Sequence, residues 1–482
     1  MNQNKLKKNN LKNDTEFITE NSLPETLLVI GNGFDLNCNV PSNYKSFLED
    51  TLEKKLQYSK SELERDGYDD IFDYTMSEIK QYLSSINFRF DEHIRQGNVI
   101  PELNSWYIIF IVKKMTYDTD WFQVEDQIAS QLITNDNKMN IVESIGDTLL
   151  LLWQCGKAGL RTQQISQNKG YTIDKVYELL AYNLLYKKLD SFKLKSTKAI
   201  FNEFREKQSE LWNDYQNNCD QGNEVYDEAF EERLIKELFP LVAQVLLAEL
   251  RELEKDFNDY LISCLNPRGW DYQKVAINLV RRIFSKVYQL QPEQINIPYN
   301  IISFNYTTPW DRGEEVAVLD EVFYEDLCGF KNLHGALNSD SSEIIFGVDD
   351  TLISPLSNEY VFTKPSRTLD LYSQEKSEEG RGDKNIKELM PETIKNIVFY
   401  GHSLSQADYG YFKIILDTFI PREDVVFTFI YNVHNATTDI KARREIIEKI
   451  SSLFGEYSKL KQSNTDIFVN LIQNYRIKIT EI

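Results

Sequence analysis

Residues 27–35 read Leu27-Leu28-Val29-Ile30-Gly31-Asn32-Gly33-Phe34-Asp35. Four consecutive aliphatic side chains, two of them β-branched, describe a strand buried on both faces, as in a parallel sheet. The run breaks at Gly31 and Gly33, residue types suited to a tight turn and to close approach of the backbone. A polar, helix-compatible segment follows. Strand, Gly-x-Gly turn and helix together place backbone N–H groups and a helix N-terminus at the carboxyl edge of a sheet, which suits a phosphate. The third glycine of the dinucleotide fingerprint does not follow, so an ordinary strand-to-helix turn is the competing reading.

Outward from this stretch the chain changes character twice. Residues 1–22 are polar and aperiodic and read as a mobile tail. Between 46 and 295, segments such as Ile71–Ile86, Ile141–Trp153, Lys175–Leu189, Glu224–Phe257 and Tyr272–Leu290 carry apolar residues at helical spacing with few Gly or Pro. From 296 the grammar of alternating strands and helices returns. Tyr299–Phe304 ends in Asn305-Tyr306-Thr307, Phe330–Leu333 leads into His334-Gly335, and Glu343–Phe346 leads into Gly347-Val348-Asp349-Asp350. Ile394–Tyr400 leads into Gly401-His402-Ser403-Leu404-Ser405-Gln406-Ala407-Asp408 and then a helix over Tyr409–Ile420, while Val425–Tyr431 and Ile467–Ile472 complete the sheet. The expected fold is α/β: a Rossmann-like parallel-sheet core of residues 23–45 and 296–482, interrupted by an all-helical insertion over 46–295. In such a sheet the small and polar clusters that end each run converge on one carboxyl edge, where ligands bind.

Composition narrows the function classes. The 482 residues carry a net charge of −21, a field that repels polyphosphate and disfavours nucleic acid as the main partner. Five cysteines, at 38, 155, 219, 264 and 328, form no C-x-x-C pair, which argues against a thiolate zinc site and a disulfide framework. No apolar run approaches a membrane span, and the Asn- and Lys-rich start lacks the apolar segment of a secretory signal. A cytoplasmic protein without a membrane partner or a bound metal is expected.

Among the strand-end residues, His334 has the natural pKa of a general base and Asn305 a carboxamide able to hold a ribose hydroxyl and a water together. Glu125, beside Trp121 and Phe122, is a candidate desolvated acid. Gly401-His402-Ser403-Leu404-Ser405 comes close to a nucleophile elbow, with Ser403 as nucleophile and Asp424 and His434 as partners, although Ser405 stands where that turn needs glycine.

Taken together, Ile30-Gly31-Asn32-Gly33-Phe34-Asp35-Leu36 with Pro41 and Tyr44, Ser303-Phe304-Asn305-Tyr306-Thr307, Asn332-Leu333-His334-Gly335, Ile345-Phe346-Gly347-Val348-Asp349-Asp350 and Gly401-His402-Ser403-Leu404 with Asp408 resemble the bacteriophage abortive infection AbiH family. More distantly they resemble the sirtuin domain. That resemblance implies a sirtuin-like site for NAD, with Gly31 and Gly33 at the pyrophosphate, Asn305 at the nicotinamide ribose, His334 as base, and Gly401 with Ser403 on the adenosine side. The nucleotide-binding set it implies extends to Asn32, Phe34 and Asp35 in the first loop and to His402 and Asp408 in the last; Glu125 and Asp349 are further candidates. Thr307 stands where sirtuins carry an acidic residue, and their four-cysteine zinc module is missing, which argues against protein deacetylation. Asp35, a carboxylate beside a phosphate loop, suits a ribose hydroxyl or backbone amides better than a phosphate.

The function these residues imply is antiphage defence by NAD hydrolysis. The alternatives are a nucleotide-binding sensor or toxin that acts through protein partners, and a nuclease. Expected partners are NAD, a phage-derived protein trigger, and a second copy or another subunit, with the helical insertion as gate or assembly surface.

Overall fold

A computed structural model of the chain describes residues 23–85, 103–117, 124–133, 139–158, 173–219, 224–266, 269–310, 326–337, 344–374, 385–433, 438–462 and 466–482. The expected tail over 1–22, Trp121, Phe122, His93 and His434 lie outside these. The chain divides into two compact units, one of Met1–Ser42, Ser263–Leu337 and Lys376–Ile482, the other of Asn43–Ile262 and Asn338–Glu375.

The first unit is α/β. Its strands are β1 (Thr26–Ile30), β2 (Tyr299–Ser303), β3 (Leu327–Asn332), β4 (Asn396–Tyr400), β5 (Val426–Tyr431) and β6 (Ile477–Glu481). They form a single parallel sheet in the order β3-β2-β1-β4-β5-β6, the order of a Rossmann-like core. Period-two alternation divides the strand side chains between two cores. Leu27, Val29, Ile302, Ile397, Phe399, Phe427 and Phe429 face one way and are covered by the helices Tyr409–Phe419, Asp439–Leu460 and Ile467–Gln473. Leu28, Ile30, Ile301, Val398, Tyr400 and Ile430 face the other way, against Phe34 and the helix Gly269–Tyr288. That helix presents Tyr272, Ala276, Val280, Ile283 and Phe284, the i, i+4, i+8 stripe of an amphipathic helix.

The chain after β1 therefore turns to one face and the chain after β4 to the other. β1 and β4 are neighbours, so the topological switch point lies between Ile30 and Tyr400, which are partners in register.

Two expected strands are corrected. Ile467–Ile472 is helical: Asp466 caps it by accepting from the Val469 amide, and the sixth strand comes only after Tyr475, whose φ of 57° reverses the chain. Five apolar residues among six, interrupted only by Asn470, do not distinguish the two conformations, and the cap decides. Residues 344–346 add no strand to the sheet either; that segment belongs to the second unit, where Val348 makes one isolated bridge with Thr363.

The second unit is mainly helical. The helix Tyr44–Leu56 starts where the Asn43 side chain accepts from the Ser46 amide. Its aromatic core joins Phe47, Phe257 and Tyr260, with Tyr44 and Phe346 against Phe257. Beside it, Arg367 grips Glu254 through two bonds, Nη1 to Oε1 at 2.9 Å and Nη2 to Oε2 at 2.7 Å, and Glu254 Oε1 also accepts from the Phe346 amide at 2.7 Å. Both charges are buried, and each satisfies the other's bonding capacity.

Candidate functional site

At the switch point the turns after β1 and β4 meet directly. The Gly31 amide donates to the Tyr400 carbonyl at 3.1 Å, the Gly33 amide to the Gly401 carbonyl at 2.7 Å, and the Phe34 amide to the Gly31 carbonyl at 2.8 Å. A Cβ on Gly31 would lie 2.7 Å from His402 Cα, and one on Gly33 would lie 2.7 Å from Gly401 Cα. Gly401 itself has φ +69°, and a Cβ there would meet the Phe34 nitrogen at 2.5 Å. The close backbone approach that the glycines imply is thus an approach of chain to chain. The amides of Gly31 and Gly33, expected at a pyrophosphate, and that of Phe34 are bonded within the protein. Phe34 is a core residue, its ring against Trp310 and Tyr400, and the Asn32 side chain accepts from the Ser42 hydroxyl.

Asp35 points inward from the same short helix and is fully buried. Its carboxylate accepts from Tyr272 Oη at 2.9 Å, from Asn305 Nδ2 at 3.1 Å and from Thr307 Oγ1 at 2.8 Å. Burial pushes its pKa up to about 6, against the opposing pull of the three donors. The Tyr272 hydroxyl is raised well above its usual value by burial and then by the Asp35 charge, so it stays a donor. Asp35 therefore meets side-chain donors, where sequence reasoning put a ribose hydroxyl or backbone amides.

The consequence falls on Asn305. Its Nδ2 is held by Asp35, so its Oδ1 is the remaining acceptor, and that buried oxygen has no hydrogen-bond partner. Asn332 repeats the pattern on the next strand: Nδ2 donates to the Thr307 carbonyl at 3.1 Å and Oδ1 is left without a donor. An unsatisfied buried acceptor costs about 1–3 kcal/mol, which a bound hydroxyl or water recovers. Ser303 and Asn332 are register partners of β2 and β3, so Asn305 and His334 each lie two residues beyond one paired position.

His334 Nε2 lies 3.0 Å from Asp408 Oδ1, and His402 Nε2 lies 3.2 Å from Asp408 Oδ2. One carboxylate thus joins two imidazoles, all three side chains being buried. Phe304 walls them in, with ring centroids 5.4 Å from His334 and 4.3 Å from His402, and Tyr411 lies 5.4 Å from His334.

Of the expected residues, the α/β unit assembles Gly31, Gly33, Asp35, Asn305, His334, Gly401, His402 and Asp408. Glu125 and Asp349 belong to the helical unit. There Glu125 pairs with Lys364 Nζ at 3.0 Å, and Asp349 caps a short turn through the Thr351 amide at 2.9 Å. The nucleophile-elbow reading does not hold. Loop residues separate β4 from the helix at Tyr409, the left-handed residues there are Gly401 and Leu404 and not Ser403, and Asp424 precedes β5 at the amino end of the sheet, paired with Arg422. Tyr272 and Asn332 were missed as site residues. Asn332 had a visible signal, two residues before His334 on one strand face; Tyr272, 237 positions from Asp35, had none.

Among the described residues no helix is long and apolar enough to cross a membrane. No curated protein and no solved structure matches the chain. The family model for bacteriophage abortive infection AbiH matches residues 27–431, from within β1 to the end of β5, and spans the whole strand-end constellation described above. The chain belongs to the bacteriophage abortive infection AbiH family.

Proposed function

We propose that this chain serves abortive infection by hydrolysing NAD to nicotinamide and ADP-ribose. The observation that carries the reading is the buried, donorless Asn305 Oδ1, two residues beyond β2 where the carboxylate-backed His334 lies two residues beyond the neighbouring β3. Two acceptor-only carboxamide oxygens, those of Asn305 and Asn332, suit a ligand rich in hydroxyl donors, such as a ribose. The switch point of a Rossmann-like sheet is where nucleotides bind in this architecture. The likeness of the strand-end motifs to the sirtuin domain points the same way.

The reaction asks little of residue chemistry. The bond from C1′ of the ribose to the nicotinamide nitrogen breaks, and nicotinamide leaves as a neutral base with the electron pair. A water oxygen bonds to C1′, and His334 takes the proton that water loses. Asn305 holds the ribose so that C1′ meets the water in line. Because Gly31, Gly33 and Phe34 have their amides engaged, recognition rests on the ribose and not on a glycine-loop phosphate cradle.

Purified protein incubated with NAD, with and without lysate of phage-infected cells, tests this by chromatography of nicotinamide. Release that falls at least tenfold in both Asn305→Ala and His334→Ala is expected. NAD bound without release under every condition would favour a nucleotide sensor, and release untouched by both substitutions would remove the assignment.

A further inference from the structure

The resemblance puts His402 and Asp408 in contact with nucleotide, yet both ring nitrogens of His402 are occupied by the protein. The Leu404 amide donates to His402 Nδ1 at 2.8 Å, and His402 Nε2 meets Asp408 Oδ2 at 3.2 Å. A nitrogen that accepts an N–H carries no proton, so the neutral ring holds its hydrogen on Nε2 and donates it to the carboxylate. Asp408, with one oxygen so engaged, offers the other to His334 Nε2 at 3.0 Å.

We propose that His402 is a positioning residue: a fixed Nε2–H donor that orients Asp408, which in turn sets the tautomer and ring plane of His334. The first bond sets the direction at His402, and an ionised Asp408, which can only accept, sets the direction at His334. The Leu404 backbone fixes His402, His402 fixes Asp408, and a carboxylate that only accepts requires His334 to present Nε2–H. The lone pair of neutral His334 then falls on Nδ1, the nitrogen that takes a proton.

Packing holds the chain of bonds in place. The His402 side chain is 4% exposed and that of Asp408 7%, so water does not compete for the bonds between them. Phe304 stands edge-on to His402 at 4.3 Å and Phe412 at 4.9 Å, leaving the ring no room to flip. Gly31 completes the enclosure, since any side chain there would overlap His402 Cα and Cδ2. The first glycine of the turn after β1 thus makes space for a histidine from the turn after β4.

For its catalytic part the inference rests on the hydrolysis proposed above; its structural part does not. The chain has four histidines, so nitrogen NMR of protein labelled at histidine, assigned with single His→Gln variants, reads each tautomer directly. His402 and His334 are expected as Nε2–H tautomers at neutral pH in the wild type. In His402→Ala, His334 becomes a mixture of tautomers, and kcat for nicotinamide release falls on the order of 10–100-fold with KM little changed. His402→Gln, whose amide can replace the Nε2–H donor, restores a single His334 tautomer and most of kcat. An unaltered His334 tautomer in His402→Ala, an effect on KM alone, or equal damage by Ala and Gln would overturn the proposal. Nicotinamide release by the wild type tests the function and the His334 tautomer tests the clamp, so either can fail without the other.

Discussion

The carboxylate of Asp35 accepts the Nδ2–H of Asn305 at 3.1 Å, joining residues 270 positions apart inside the α/β unit. This bond decides which end of the Asn305 carboxamide is left without a partner in the protein. Asp35→Ala leaves the donors of Tyr272, Asn305 and Thr307 without their common acceptor. A stability loss of roughly 3–5 kcal/mol is expected in denaturant unfolding. Nicotinamide release should fall on the order of 10–100-fold, the usual cost of losing an orienting partner.

The same carboxylate makes stability depend on pH. Burial raises its pKa from an ordinary 3.8 to about 6. The folded chain therefore resists the ionisation that the unfolded chain accepts. The stability this group contributes is complete below the unfolded value of 3.8 and is lost as pH rises through 6. The loss amounts to about 3 kcal/mol at neutral pH. In urea unfolding between pH 4 and 7.5, the stability of the wild type relative to Asp35→Asn should fall by about this amount. Parallel curves would show that the carboxyl does not titrate differently on folding.

The glycine turn responds to substitution through the protein and not through a phosphate. Gly31→Ala drives a methyl into His402, and Gly33→Ala drives one into the Gly401 backbone. Each should lower stability by about 1–3 kcal/mol without any ligand present. Thermal unfolding of the ligand-free variants checks this. Wild-type melting with loss confined to nucleotide binding would return the turn to a phosphate-binding role.

In the helical unit the Arg367–Glu254 pair is bidentate and buried. Arg367→Ala strands a buried carboxylate and should cost about 3–5 kcal/mol. Arg367→Lys should recover little, because a single ammonium cannot reproduce the two-pronged contact. Unfolding midpoints of the two variants, compared with Glu254→Gln, measure it.

Much of the sheet was legible because its strands are buried on both faces. Leu27–Ile30, Ile301–Ile302 and Ile397–Tyr400 are short unbroken apolar runs with glycine or polar residues at their ends, a pattern few helices share. The run at 467–472 was not legible, since its conformation depends on one hydrogen bond from the Val469 amide to Asp466. Residues 344–346 looked like a strand because their burial, shared with Glu254 and Arg367, is the burial of a core segment without a sheet. The site was legible as a set of strand-end residues but not in its wiring. Asn305 and His334 follow strands and so declare themselves. That Asp35 serves Asn305, or that His402 serves Asp408, follows from which side chains meet across the sheet edge, and spacing along the chain does not encode it.

β1 is synthesised early yet has no neighbour of its own age. Its partners begin at Tyr299 on one edge and Asn396 on the other. A nascent chain that has passed Leu265 still holds β1 with both edges unpaired, and one that stops before Asn396 leaves one of its two edges without a partner. The imidazole pair needs Asp408, later still. Every truncated translation product short of that residue therefore lacks the carboxylate that joins His334 to His402. The order of the strands thus holds back the assembly of the strand-end cluster until four of the six strands of the sheet have been made.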